Sequence, residues 1–319
     1  MFSLIRGGAA ALFLALLLAL AAACGDDGDD GGAPPSPTPT VAATAAAQYP
    51  LTLTDGMGRS VTLSTAPQRI ASLSPAATEI LFAVGAADQV AAVDMFSDYP
   101  PEAKTREQID AFQPSVEAIA GARPDLVLVF YDPGNLVEGL TNANLMVFFL
   151  ETPTSVEGVL EQIRTLGKAT GHPQEAENLV ESMQQGISAV QGQLANVEQG
   201  PRVFHEVDNQ LYTVAPNSFV GNLYTILKAQ NIAAGTEQAF PQLSQEAIIE
   251  ADPEVIILGD AAGGESAQTV KARPGWGSIS AVKNDRIYVV DPDIVSRPGP
   301  RLVDALETLA QLLYPERFP

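Results

Sequence analysis

Cysteine is almost absent from this chain: Cys24 is the only one in 319 residues. No intramolecular disulfide can hold the fold, and the body of the chain has no thiol for nucleophilic chemistry. Cationic side chains are also scarce, with 17 Lys+Arg against 38 Asp+Glu and a formal net charge of −21. A phosphate backbone needs a basic footprint, so nucleic acid is excluded as a partner. Only two histidines occur. His172 falls in a helix break and His205 inside a strand pattern, so each reads as structural and a bare metal-ion site is not expected. Catalytic signatures are missing too. There is no Gly-x-Ser-x-Gly elbow and no Walker loop, and the Gly-rich run Gly259-Asp-Ala-Ala-Gly-Gly-Glu-Ser lacks the lysine of a phosphate loop. Neither an enzyme nor a resident cofactor is expected.

What is present begins with an address. Arg6 supplies a positive start, and Ala9 to Ala23 is an apolar run too short to span a bilayer comfortably, followed by acid instead of a basic stop. Leu20-Ala-Ala-Ala-Cys24 closes it and resembles a bacterial lipoprotein signal, although Ala21 stands where leucine is usual three residues before the cysteine. Residues 1–23 are therefore predicted to be a signal peptide and Cys24 the lipidated N-terminus. Residues 24–48, rich in Gly, Asp, Pro, Thr and Ala, cannot bury a core and are predicted to be a disordered tether. The expected location is extracytoplasmic, at the membrane through a lipid anchor.

From Tyr49 the pattern becomes that of a folded body. Leu51-Thr-Leu-Thr and Val61-Thr-Leu flank a Gly-rich turn and predict a hairpin. Arg69-Ile-Ala-Ser-Leu reads as a buried strand, Ser74-Pro75 as a helix start, and Val90-Ala-Ala-Val as the next strand. Short strands alternating with helices predict βαβ units and a mostly parallel sheet. The chain also echoes itself. Ser115-Val-Glu117-Ala-Ile-Ala-Gly-Ala-Arg-Pro124-Asp-Leu-Val-Leu-Val-Phe130 aligns without a gap on Ser244-Gln-Glu246-Ala-Ile-Ile-Glu-Ala-Asp-Pro253-Glu-Val-Ile-Ile-Leu-Gly259. A weaker echo pairs Thr78-Glu-Ile-Leu-Phe with Val220-Gly-Asn-Leu-Tyr. One α/β unit used twice is the physical reading. Between the copies lie two stretches of helical spacing, Val156 to Ala169 and Glu175 to Val197, broken at Gly171-His172-Pro173; the second is long enough to join two lobes.

With these segments in view, the chain resembles the cobalamin, siderophore and haem binding proteins of ABC importers. Arg69-Ile-Ala-Ser-Leu-Ser-Pro-Ala-Ala-Thr-Glu79, Ser97-Asp-Tyr-Pro-Pro, Phe219-Val-Gly-Asn-Leu and Pro300-Arg-Leu-Val-Asp-Ala-Leu carry the likeness, which extends from about residue 49 to 315. It implies an α/β fold of two Rossmann-like lobes joined by a single long α-helix, with the ligand cleft between them. The expected limits are 49–172 for the N-terminal lobe, 173–198 for the bridging helix and 199–319 for the C-terminal lobe. The resemblance further implies a monomer that captures a small solute and delivers it to an ABC permease dimer in the membrane. A cobalamin-type corrinoid is the first expectation, a ferric siderophore or haem the second, and a scaffold or adhesion lipoprotein without a small-molecule ligand the alternative of a different class. Glu117 and Glu246, at matching places in the echo, are implied to dock on permease arginines. Phe96, Phe112, Phe130 and Tyr131 are implied at or near the N-lobe side of the cleft. From the C-lobe, Asp293 and Arg297 are nominated, with Arg297 suited to an anionic group, and Trp276 as a further cleft candidate. Aromatics are usual in the Asp293–Arg297 loop of cobalamin binders, whereas this chain has Ile294 and Val295. Were the solute haem, His205 would be the candidate axial ligand.

Overall fold

Three serines at three chain turns set the framework. Ser74, Ser115 and Ser244 each accept from the backbone N–H three residues on, and Pro75 follows Ser74 at the first helical position. The computed structural model describes residues 48–318. The signal peptide, Cys24 and the tether up to residue 47 lie outside them. Among the described residues no helix is long and apolar enough to cross a membrane.

In chain order, a hairpin of β1 (Leu51–Thr54) and β2 (Ser60–Leu63) comes first. The N-lobe follows with β3 (Ile70–Ser72), α1 (Pro75–Ala83), β4 (Val90–Asp94), β5 (Glu107–Ile109), α2 (Val116–Gly121), β6 (Leu126–Val129), α3 (Leu136–Asn142) and β7 (Val147–Phe149). Two long helices come next, α4 (Val156–Thr170) and α5 (Pro173–Gln193). The C-lobe holds β8 (Arg202–Glu206), α6 (Phe219–Ile226), β9 (Gln230–Asn231), α7 (Gln245–Ala251), β10 (Val255–Leu258), α8 (Ala267–Lys271), α9 (Ser280–Lys283), β11 (Ile287–Val289), α10 (Pro292–Val295) and α11 (Leu302–Leu313).

The two sheets repeat one topology. The N-lobe order is β5-β4-β3-β6-β7 and the C-lobe order is β11-β10-β8-β9. Reversing the second gives β9-β8-β10-β11, which matches β4-β3-β6-β7 strand for strand, and all of these pairings are parallel. The echo seen in sequence is therefore a repeat of structure. Each β6-type strand is a fully buried run, Leu-Val-Leu-Val in one lobe and Val-Ile-Ile-Leu in the other, as a parallel strand covered on both faces requires.

Helix α5 is built into both lobes. Its stripe Ala176, Val180, Met183, Ile187 and Val190 is buried at helical spacing. On one side it meets α4 where Gly167 has no side chain, since a Cβ there would overlap Ala176. On the other it meets α11 where a Cβ at Gly186 would come within 2.7 Å of Val303. The apolar core runs without a break from the N-lobe through these helices into the C-lobe. The helix is 21 residues long, about 31 Å at 1.5 Å per residue. It ends at Gln193, four residues short of the helical spacing, and Lys228 Nζ donates to the carbonyls of Leu194, Ala195 and Val197 just beyond at 2.8, 3.2 and 2.7 Å. A cation on these terminal carbonyls also favours the helix dipole. Gly171, at φ +87°, closes α4 and lets the chain turn into α5.

Candidate functional site

The cleft between the lobes is walled by strand ends and short loops. Two adjoining cavities share Thr152, Pro153, Ser296 and Pro298. The smaller, about 220 Å³, reaches the N-lobe at Ser74–Ala76 and Phe130 and the C-lobe at Arg297. The larger, about 430 Å³, is mostly in the C-lobe, against His205, Val207, Val214, Phe219, Phe240 and Gly259. Its walls are apolar apart from a few hydroxyls and one imidazole. Phe130 and Gly259 are the last residues of the two echoes, so the repeat delivers an aromatic side chain to one compartment and a bare backbone to the other.

An ion network ties the lobes beside the cleft. Arg297 Nη1 lies 3.2 Å from Glu79 and 2.9 Å from Asp98, and its Nη2 lies 2.8 Å from Asp293 and donates to the Phe96 carbonyl at 3.1 Å. Arg301 forks onto both Glu79 oxygens at 2.9 and 2.6 Å, and its guanidinium stacks 4.3 Å from the Tyr99 ring centroid. Glu79, on α1, is 2% exposed. Two C-lobe guanidinia thus converge on one buried N-lobe carboxylate, a charge-assisted geometry. Against the lowering effect of burial, its acidic partners hold the Arg297 pKa above the ordinary value, and against the raising effect of burial Arg297, with Lys104, holds Asp98 below the usual carboxylate range.

The expected site residues divide accordingly. Phe130 and Arg297 line the smaller cavity. Arg297 is also paired with Glu79, Asp98 and Asp293, so an anionic solute group at this guanidinium would compete with three protein carboxylates. Asp293 holds Arg297 and lines neither of these cavities. Phe96 and Phe112 are exposed and stack edge to face at 5.4 Å, next to the Arg297 anchor point, and Tyr131 is exposed beside Phe130. Trp276, expected at the cleft, is corrected. It is fully buried, edge-on to Phe204 at 6.1 Å and 4.5 Å from the Arg273 guanidinium, in the apolar core of the C-lobe. No face of that ring reaches the cleft, because β8 and β10 lean on it from the sheet side. Glu117 and Glu246 are both exposed, each the second residue of a serine-capped helix. Ser115 donates to Glu117 at 2.9 Å, and this bond with the helix-start N–H holds Glu117 below the usual carboxylate range.

Sequence reasoning missed Phe240, which lines the larger cavity although it is 56% exposed. Its signal was an aromatic in the coil between β9 and α7. His205, read as structural, is 4% exposed and lines the same cavity. Burial pushes its pKa down to about 4. Among the described residues no group of three or more His, Cys, Asp or Glu side chains is placed to hold a metal ion.

The chain belongs to the periplasmic binding protein family, whose model matches residues 70–294. It is similar to an uncharacterized ABC transporter substrate-binding lipoprotein of Bacillus subtilis, at 33% identity over 85% of this chain and 87% of the relative. A cobalamin-binding protein of Halobacterium salinarum is 31% identical over 85% of this chain and 76% of its own length. Among solved structures, a periplasmic heme-binding protein of Roseiflexus superposes with a TM-score of 0.70 at 26% identity, covering 78% of this chain and 99% of that one. The chain is thus a substrate-binding protein of an ABC importer, in the group that includes B12, siderophore and haem binders. It is a transport protein, not an enzyme, it binds a small molecule outside the cytoplasm, and it works with a membrane permease.

Proposed function

We propose that the protein captures a cobalamin-type corrinoid between its lobes and delivers it to the permease while anchored by lipid on Cys24. The observation that carries this reading is the pair of contiguous interlobe cavities, the larger of them apolar-walled, whose one lining cation, Arg297, is already paired with carboxylates. A bulky, largely neutral macrocycle gains from apolar and aromatic walls, whereas an anionic chelate would need an unpaired Arg or Lys. The similarity to a cobalamin-binding relative supports the same reading. Haem is the second reading, supported by the likeness to the Roseiflexus heme binder. Residues 1–23 would direct export and 24–48 would tether the body, which divides at 49–172, 173–198 and 199–319. Glu117 and Glu246 would face one permease subunit each, setting orientation more than affinity.

Thermal-shift titration with cyanocobalamin, hemin and ferric trihydroxamate tests the solute. At 100 times its Kd the true ligand stabilises the fold by about 2.7 kcal/mol. Stabilisation by cyanocobalamin alone is expected; stabilisation by hemin alone would transfer the assignment to the second reading. In reconstituted importer, the double change Glu117→Lys and Glu246→Lys abolishes stimulated transport and leaves solute affinity unchanged. Undiminished stimulation would remove both residues from the docking role.

A further inference from the structure

His205 occupies a place that the repeat makes comparable. In the N-lobe Ser72 on β3 pairs with Leu128 on β6, and in the C-lobe His205 on β8 pairs with Ile257 on β10. Leu128 and Ile257 hold the same position in the two echoes. His205 therefore stands where the N-lobe has Ser72. The Ser72 hydroxyl is closed off inside the protein, linked to Thr78 at 2.9 Å and onward to Ser97 at 3.0 Å. The imidazole of His205 is satisfied on one side only. Its Nδ1 lies 2.7 Å from the Tyr224 hydroxyl, and its Nε2 has no hydrogen-bond partner among the described residues. A Cβ on Gly259 would stand 3.2 Å from Nε2, and both residues line the larger cavity. The missing side chain at 259 is what leaves this nitrogen uncovered.

The proton positions follow from the partners. Tyr224 is 1% exposed, and burial keeps its phenol protonated. Among the described residues its hydroxyl has one acceptor within reach, Nδ1, and a buried O–H is satisfied by donating there. A neutral imidazole that accepts at Nδ1 carries its own proton at Nε2. We propose that His205 is the specificity-determining donor of the C-lobe compartment, its Nε2–H taking a neutral acceptor oxygen of the carboxamide type from the bound solute. This inference rests on the reading of the interlobe cavities as the solute site.

Charge decides the acceptor class. A neutral ring offers nothing to balance a carboxylate. The nearby acids Glu206 and Asp260 oppose one, and Arg273 is taken by Glu206 at 2.6 and 2.5 Å and by Glu265 at 2.8 Å. Burying an anion there would carry its full desolvation cost. Metal ligation requires the Nε2 lone pair, and this tautomer places the free lone pair at Nδ1, where Tyr224 holds it. A solute with a carboxamide periphery is accepted, and an iron centre seeking an axial imidazole is not. A site built around a buried donor also discriminates strongly against analogues that lack the matching acceptor.

Two measurements on the folded protein test this. Long-range proton–nitrogen NMR correlations of the ¹⁵N-labelled rings, assigned with His172→Gln, are expected to show the Nε2–H tautomer of His205 between about pH 5.5 and 8. An Nδ1–H ring or an imidazolium in that window overturns the proposal. Calorimetric titration with cyanocobalamin should show about a tenfold loss for His205→Phe and less than about threefold for His205→Gln, which keeps a donor, with each variant shown to be folded by a cooperative melting transition above the titration temperature. Wild-type affinity in His205→Phe overturns it, as does a hemin Soret shift that this variant removes. If the wild type takes up no cyanocobalamin, the corrinoid reading fails separately and small probes decide. N-methylacetamide should shift the Nε2–H resonance saturably and acetate should not; no amide response, or an equal one to acetate, overturns the proposal.

Discussion

Where strand β6 of the N-lobe runs out into Phe130, its counterpart β10 in the C-lobe runs out into Gly259. The same strand order and serine-capped helices deliver these two residues to the cleft, yet one fills space and the other leaves it. A second exchange lies on the first helix of each repeat. Glu79 on α1 stands opposite Gly221 on α6, in the weaker echo. Glu79 receives two arginines from the other lobe. Gly221 instead sits hard against the Ala215 carbonyl, where a Cβ would clash. The N-lobe copy has become the acid that holds the lobes together, and the C-lobe copy has become the compartment that receives. Duplication supplies a matched frame, and single positions within it divide the labour.

Breaking this division at Glu79 should have the largest effect. Glu79→Ala strands Arg297 and Arg301 against each other with their common partner gone. The expected loss is about 3 kcal/mol of unfolding free energy in urea, since Arg301 loses its carboxylate partner while Arg297 keeps Asp98 and Asp293. A loss below about 1 kcal/mol would show that the acid is not what joins the lobes.

The next effect concerns the C-lobe alone and is read in pH. His205 has an ordinary pKa of 6.5 and a folded value of about 4. As pH falls from 6.5 to 4 the unfolded chain gains this proton and the native chain does not. The stabilisation is therefore complete above about 6.5, declines on the way to about 4, and is flat below. Glu206 and Asp260, raised by burial against Arg273, run in the opposite sense, so the comparison must be with a variant that keeps them. Wild type should lose about 3 kcal/mol more than His205→Phe between pH 7 and pH 4. Parallel profiles would mean that the ring is not held neutral. The smallest effect is expected at the matched exposed pair. Glu117→Gln and Glu246→Gln should each change stability by less than about 0.5 kcal/mol. A change above about 1 kcal/mol in either would show that the exposed acid does more for the fold than begin a helix.

Local chemistry explains how much of this was legible in the sequence. Ser74-Pro75 and Gly171-His172-Pro173 are short-range signals, and the start of α1, the end of α4 and the start of α5 stand where they predict, whereas the far end of α5 does not. The echo exposed the repeat because caps and buried strands recur in register. The site was less legible, because its features depend on partners far away in sequence. Arg297 meets Glu79 across 218 residues, and nothing local marks a guanidinium as already neutralised. Trp276 lies in a turn-rich segment that suggests a surface, yet Phe204 and Arg273 enclose it. His205 lies in a run of buried strand residues with nothing local to mark it, and only the fold puts Tyr224 on one nitrogen and a bare glycine beside the other.

The most direct test of the divided repeat is to give the C-lobe the side chain it lacks. Gly259 does not adopt a left-handed backbone, so Gly259→Val is compatible with the local conformation and places its bulk at the uncovered imidazole nitrogen. Calorimetric titration with cyanocobalamin should show saturable binding to the wild type and at least about a tenfold weaker affinity for the variant, at closely similar melting temperature. Equal affinity in the two proteins would contradict the account, because it would place the solute somewhere other than the space that residue 259 leaves open.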